Sequence, residues 1–98
     1  MAEKHNTRID KWLWAVRIFK TRAQATEACA GGKVKIDGTA VKASRKIKPG
    51  ETLLVRKGVI KYMYKVLKIA EKRMGAKLII DFVEDLTSDD ERAKLRSS

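Results

Sequence analysis

The chain has 98 residues, enough for one small domain that would bury a little over about 60% of its unfolded surface. Its 23 Lys and Arg against 12 Asp and Glu give a formal charge of +11, an excess that excludes indifference toward polyanions. A lone cysteine, Cys29, excludes an internal disulfide, and no apolar run approaches the ~18 residues of a membrane span or follows the pattern of a secretory leader, so a cytoplasmic location is expected.

Residues 1–7 are polar and aperiodic and predict a flexible arm, with Thr7 as the cap of a first helix and Asp10 three positions on. His5, without a partner at metal spacing, reads as a solvated side chain. At about 100° per residue, Ile9, Trp12, Leu13, Val16 and Phe19 share one arc, which predicts a core-packed helix ending near Phe19 and Lys20. Arg8, Lys11, Trp14 and Arg17 fall outside that arc. Thr21 and Gln24 form a Thr-x-x-Gln capping box for a second helix from Arg22 to Ala30, which Gly31 and Gly32 end in a left-handed cap. Arg22 then lies in a first turn with exposed amides and Lys20 beside it, an arrangement that attracts phosphate. Cys29, among Ala25, Ala28 and Ala30, reads as a small core residue.

Residues 33–37 alternate, Val34 and Ile36 against Lys33 and Lys35, and predict a strand with a cationic outer side. Asp37-Gly38 is a tight hairpin turn that returns Val41 to the core. A cationic passage follows with only Ile47 to bury, then a Pro49-Gly50 turn and a strand over 52–56. Lys57-Gly58 reverses the chain into the longest strand, 59–69, whose alternation slips near Val66 and Leu67 and predicts a bulge or bend. Residues 71–75 read as a charged loop. From 76 to 86, Ile79, Ile80, Phe82, Val83 and Leu86 share one helical arc and Lys77, Asp81, Glu84 and Asp85 the other, which predicts an amphipathic helix over the sheet. Residues 87–98 predict a flexible tail. The fold class is therefore α+β: two N-terminal helices on a small, mainly antiparallel sheet with a C-terminal amphipathic helix, in one domain over 8–86.

The charge is uneven, with a net of +8 in residues 1–48 and +3 in residues 49–98. Its candidates for binding fall into three groups: Arg8, Lys11 and Arg17 on the first helix; Lys20 and Arg22 at the joint; Lys33, Lys35, Lys42, Arg45 and Lys46 around the hairpin. If the hairpin packs beside the helix pair, these form one face for a phosphate backbone, with neutral hydrogen bonds from Thr21, Gln24 and Ser44. Each single lysine also has the bland reading of a solubilising side chain. Trp14, amid cations, would stack on an unpaired base or pack under the C-terminal segment. Tyr62 and Tyr64, two apart on a strand, offer stacking on bases as well, with packing under the final helix the favoured reading. No His, Cys or carboxylate cluster has nucleophile or metal spacing, and no glycine-rich loop cradles a nucleotide, so no enzyme, catalytic residue, metal or cofactor is expected.

The run RIDKWLWAVRIFKTRAQATEACAGGKVKIDGTAVKAS resembles the RNA-binding domain first seen in small-subunit ribosomal protein S-four, the αL motif. It shares the Arg-x-Asp-Lys start, the Thr-Arg pair opening the second helix, the Gly before Lys33-Val34 and the Asp-Gly hairpin, over residues 8–56. Within that superfamily, DKWLWAVRIFKTR and EKRMGAKLIIDFVEDL resemble the ribosome-associated heat-shock protein of the fifteen-kilodalton class. The resemblance implies RNA binding without catalysis, attachment to the large ribosomal subunit, and association with stalled subunits whose nascent chain remains on tRNA. It implies an RNA face at Arg8, Lys11, Thr21, Arg22, Lys33, Lys35, Ser44, Arg45 and Lys46. Members of that class carry a basic C-terminal extension, where this chain has a short mixed-charge tail. Competing readings are an accessory domain of a pseudouridine synthase or RNA methyltransferase, a general RNA or DNA binder, and a protein-interaction module using the C-terminal helix. A monomer without membrane attachment is the default expectation.

Overall fold

The arc that periodicity assigns to the first helix is the one the fold buries: Ile9, Trp12, Leu13 and Val16 are at most 1% exposed in a computed structural model that describes residues 6–97. Each such side chain contributes about 1.5–3 kcal/mol of burial. The arm expected over 1–7, with His5, lies outside the described residues except at its last two positions. The elements run β1 (Thr7–Arg8), α1 (Ile9–Ala15), α2 (Arg22–Ala30), β2 (Val34–Ile36), β3 (Thr39–Ala40), β4 (Lys46–Ile47), β5 (Thr52–Lys57), β6 (Ile60–Val66), a 3-10 helix (Ala76–Asp81), β7 (Val83–Asp85) and α3 (Asp89–Ser97). The helix pair packs on one face of an antiparallel sheet of order β3-β2-β5-β6-β7. Val34, Ile36, Leu53, Val55 and Val66 meet Trp12, Leu13, Ala25, Ala28 and Cys29 there. The other sheet face carries Lys35, Leu54 and Met63 in one cross-strand row.

The start of α1 differs from expectation. Thr7 is buried in β1 and caps nothing; Arg8 is the extended N-cap residue, without a side-chain cap. The orphan amides of the first turn go instead to the 43–45 passage, Ile9 N to the Arg45 carbonyl at 2.7 Å and Asp10 N to the Ala43 carbonyl at 3.4 Å. Pairing of Thr7 with Ile47 and of Arg8 with Lys46 holds that passage in place.

Helix α1 also ends earlier than expected, at Ala15 rather than near Phe19. Arg17 takes φ +65°, its N–H bonds to the Trp14 carbonyl at 3.0 Å, and Ile18 N bonds to the Leu13 carbonyl at 2.9 Å. This is a Schellman closure with arginine at the left-handed position that glycine usually fills. The same closure ends α2, with Gly32 at φ +73° and Lys33 N on the Ala28 carbonyl at 2.9 Å. At its head, Thr21 Oγ1 accepts from Gln24 N at 3.0 Å, as the capping box predicts. The hairpin turn is also as read, with Asp37 at φ +53° and Gly38 at φ +79°, both central residues of a primed turn.

The chain beyond β6 departs most from the sequence reading. Leu67 N and Lys68 N both donate to the Phe82 carbonyl, two residues opposite one, which is the bulge expected at the slip in alternation. The amphipathic helix over 76–86 is absent. One 3-10 stretch covers Ala76–Asp81, and Val83–Asp85 join the sheet as β7 beside Tyr64–Val66. Three residues per turn align Ile79 with Phe82 toward the core and turn Ile80 out, 76% exposed. Pairing with the open edge of β6 outweighs a helix rich in β-branched residues. The expected tail contains α3, started by Ser88, whose Oγ accepts from Glu91 N at 3.2 Å. It closes the rest of the β6 edge: Lys61 N donates to Glu91 Oε1 at 2.8 Å and Met63 N to Thr87 Oγ1 at 3.0 Å. Among the described residues no helix is long and apolar enough to cross a membrane.

Candidate nucleic-acid interface

The joint between the helices is built on a buried carboxylate. Asp10, 1% exposed, accepts from Arg8 Nε at 3.2 Å and Nη2 at 3.1 Å, from Thr26 Oγ1 at 3.0 Å, and pairs with Arg22 Nη2 at 3.6 Å. Burial pushes its carboxyl up, but the hydrogen bonds from Arg8 and Thr26 and the charges of Arg22 and Arg8 outweigh that and hold it below the ordinary value. One carboxylate thus fixes two guanidinium groups whose outer halves stay exposed. Arg8 meets the carboxylate as one planar fork on another and is held in direction as well as place, whereas Arg22, at 3.6 Å, is held by charge.

The 42–46 passage adds to this flank. Lys46 is the cross-strand partner of Arg8, and the Ile9 amide anchors the Arg45 backbone. Lys42 and Ser44 are exposed in the preceding turn. Arg45 pairs with Glu51 at 2.9 Å, which reduces its net contribution. Thr21 and Arg22 lie at the head of α2, where the first amides lack intrahelical partners.

At 100° per residue, Arg22 and Thr26 lie on one flank of α2, and Gln24, Ala28 and Gly31 on the other. That second flank borders a groove of about 700 Å³ lined by Arg17, Lys20, Gln24, Glu27, Lys33 and Lys57. The predicted residues therefore divide into two groups on either side of α2. Three others stand apart. Lys11 pairs with Glu71 at 3.4 Å. Lys35 lies on the sheet face opposite the helices, next to Leu54, so the hairpin does not bring it to the others. Trp14 is half-buried against the core, with the Arg73 guanidinium 5.8 Å from its ring, the packing under the C-terminal segment that the sequence left open. Tyr62 and Tyr64 stack on each other on the core side of the sheet with ring centroids 6.0 Å apart.

Several participants escape a reading based on charge. Thr26 has no signal of its own, because its role depends on α2 lying against Asp10. Lys57 donates to the Ile18 carbonyl and sits 4.6 Å from the Phe19 ring centre; burial there holds its ammonium below the usual lysine range. Arg73 donates to the Trp14 and Phe19 carbonyls at 2.9 and 3.2 Å and so braces the corner after α1. Its place in a charged loop gave no indication of this. The Cys29 thiol is pushed up to about 11, by burial first and then by Asp10, which keeps it an inert core group. Among the described residues no group of His, Cys, Asp and Glu has a metal-holding arrangement.

Residues 7–53 match the S4 domain. Heat shock protein 15 of Escherichia coli is 44% identical over 69 residues, 70% of this chain and 52% of that protein. The RQC P-site tRNA stabilizing factor of Helicobacter pylori is 40% identical over 57 residues, 56% of this chain and 68% of that one. The chain spans about half the length of the heat shock protein 15 relatives it matches. A solved structure of Vibrio cholerae heat shock protein 15, described as trimeric, superposes with a TM-score of 0.80 at 31% identity, covering 95% of this chain and 93% of that one. The shared sequence and the shared fold together make this chain a member of the S4-domain family of heat shock protein 15.

Proposed function

We propose that the chain is a non-enzymatic RNA-binding protein that grips structured ribosomal RNA of the large subunit through the flank of Arg8, Arg22, Lys42, Ser44, Arg45 and Lys46. The observation that carries this reading is the buried Asp10, which gathers two arginines at the joint, Arg8 through two hydrogen bonds and Arg22 through charge. Such preorganised, weakly hydrated cations suit phosphate oxygens, and they position a backbone without reading bases. The name of the Helicobacter pylori relative supports a further step, contact with P-site tRNA on the same subunit.

Co-sedimentation with purified large and small subunits across a salt series tests the proposal, with Arg22→Ala alongside. Selective, salt-sensitive pelleting with large subunits is expected, and the variant should lower the salt slope by about one phosphate contact. Equal weak pelleting with both subunits would leave only general nucleic-acid binding, DNA included, and unchanged affinity in the variant would remove the joint as the site. The protein is proposed to act as a monomer. Sedimentation velocity should then give one species near 11.1 kDa, and a trimer would refute that part.

A further inference from the structure

The groove on the other flank of α2 has features that a phosphate grip does not need. The corner 18–20 and the Lys57-Gly58 turn both line it, Gln24 and Glu27 line it from α2, and Ile18, Phe19 and Ala28 give it apolar lining. Arg17, Lys20, Lys33, Arg56 and Lys57 bring five cations to it against the single carboxylate of Glu27. Among the described residues none of these five forms an ion pair, whereas Arg8, Lys11, Arg22 and Arg45 all do. Lys57 has the Ile18 carbonyl and the rings of Phe19 and Tyr62 beside its ammonium, and no carboxylate pairs with it. Cations collected in a concavity with a single carboxylate among them favour an anion that arrives from outside.

The shape narrows the ligand. At about 700 Å³ the groove falls in the range of sites for single small molecules, about 300–1,000 Å³. A paired strand presents its phosphates on a convex surface and keeps the Watson–Crick edges of its bases engaged with the opposite strand. An unpaired nucleotide, splayed out of the stack, brings its phosphate and its free Watson–Crick edge into one concavity. Gln24 supplies what a base edge requires, since its amide carries both a donor and an acceptor. The groove and the Arg22 flank lie on different sides of α2, a helix whose diameter with side chains is about 10–12 Å, so one RNA can engage both.

We propose that this groove holds an unpaired nucleotide of the bound RNA, with Lys20, Lys33 and Lys57 on its phosphates and Gln24 on its base edge. The inference rests on the RNA-binding reading and adds to it a preference for RNA with a bulged or looped nucleotide.

The test compares two labelled RNA hairpins by fluorescence anisotropy, one fully paired and one with a single bulged nucleotide in the stem. The wild-type protein should bind the bulged RNA about tenfold more tightly, the scale of one captured base. Lys57→Gln, which keeps a donor for the Ile18 carbonyl, should remove most of that preference. Lys20→Gln, at an exposed position, should do the same should Lys57→Gln fail to fold by circular dichroism. Arg22→Ala should weaken both RNAs by one factor and leave their ratio unchanged. Equal wild-type affinity for the two hairpins, or variants that weaken both RNAs equally, would overturn the groove assignment and leave the phosphate grip standing. Failure to bind either hairpin at low salt would overturn both.

Discussion

Asp10 decides whether the arginines act as an aimed pair or as loose surface charge. Removing its charge tests this, because charge and geometry then predict opposite results. Asp10→Asn adds one positive charge to the face, so a purely electrostatic surface would bind RNA more tightly; if Arg8 and Arg22 must be aimed, the variant binds several-fold more weakly in anisotropy titrations. The same change should lower stability by about 1–3 kcal/mol in urea unfolding near pH 7, the range for hydrogen bonds to a charged group. Its pH dependence has a definite sign. The folded pKa lies below the ordinary 3.8, so the contribution is present above that value and lost as pH falls through the folded pKa. The gap between wild type and variant should therefore close below about pH 4. Arg17 offers a second test at this scale. It holds φ +65° where glycine would rest without strain, so Arg17→Gly should raise stability by about 0.5–1 kcal/mol, read as an upward shift in the thermal midpoint, while weakening RNA binding through the lost cation. Neither role was legible in the sequence. Asp10 was assigned to a capping box with Thr7, and Arg17 lacks the glycine that marks a left-handed cap.

Elements were legible where local chemistry determined them. The Thr21 cap, the Gly31-Gly32 stop, the Asp37-Gly38 turn and the bulge after Val66 all follow from short-range steric and hydrogen-bond preferences, and all are present. The misreadings occur where a distant partner decided the outcome. Residues 83–85 could satisfy either a helical arc or a strand, and the unpaired edge of β6 selected the strand. Helix α3, where the sequence reading predicts a flexible tail, carries a local signal of its own, Ser88-x-x-Glu91 with Asp89 and Asp90 in a first turn where the macrodipole favours them. Its removal should be felt beyond the helix. Ser88→Ala should cost about 1 kcal/mol. It should also speed hydrogen exchange at the Lys61 and Met63 amides, which depend on Glu91 and Thr87 at that edge, while leaving exchange at Val34 and Val55 unchanged. Uniform acceleration across the sheet would mean that the cap stabilises the whole domain rather than this edge.

For the whole molecule the question is whether binding belongs to one face or to net charge, since +11 is distributed over both sides of the sheet. Helices α1 and α2 occupy one side. On the other, Lys61 is the cross-strand partner of Arg56, and Lys65 that of Thr52 and Glu84. Lys42 and Lys46 are as exposed to solvent as Lys61, but lie in the passage that β1 and the Ile9 amide pin beside the arginine pair. Two double variants with the same change in charge therefore separate the alternatives. Lys42→Glu with Lys46→Glu should remove about two phosphate contacts, reducing the slope of log affinity against log salt by roughly 1.4–1.8. Lys61→Glu with Lys65→Glu should change that slope by less than about 0.5, because a charge that meets no phosphate releases no counterion. Screening supports the distinction: at about 0.15 M salt the Debye length is about 8 Å, so charges across the sheet are largely hidden from RNA held on the helix side. Equal slope changes in the two variants would assign binding to overall charge, and the buried carboxylate would then be a feature of folding alone.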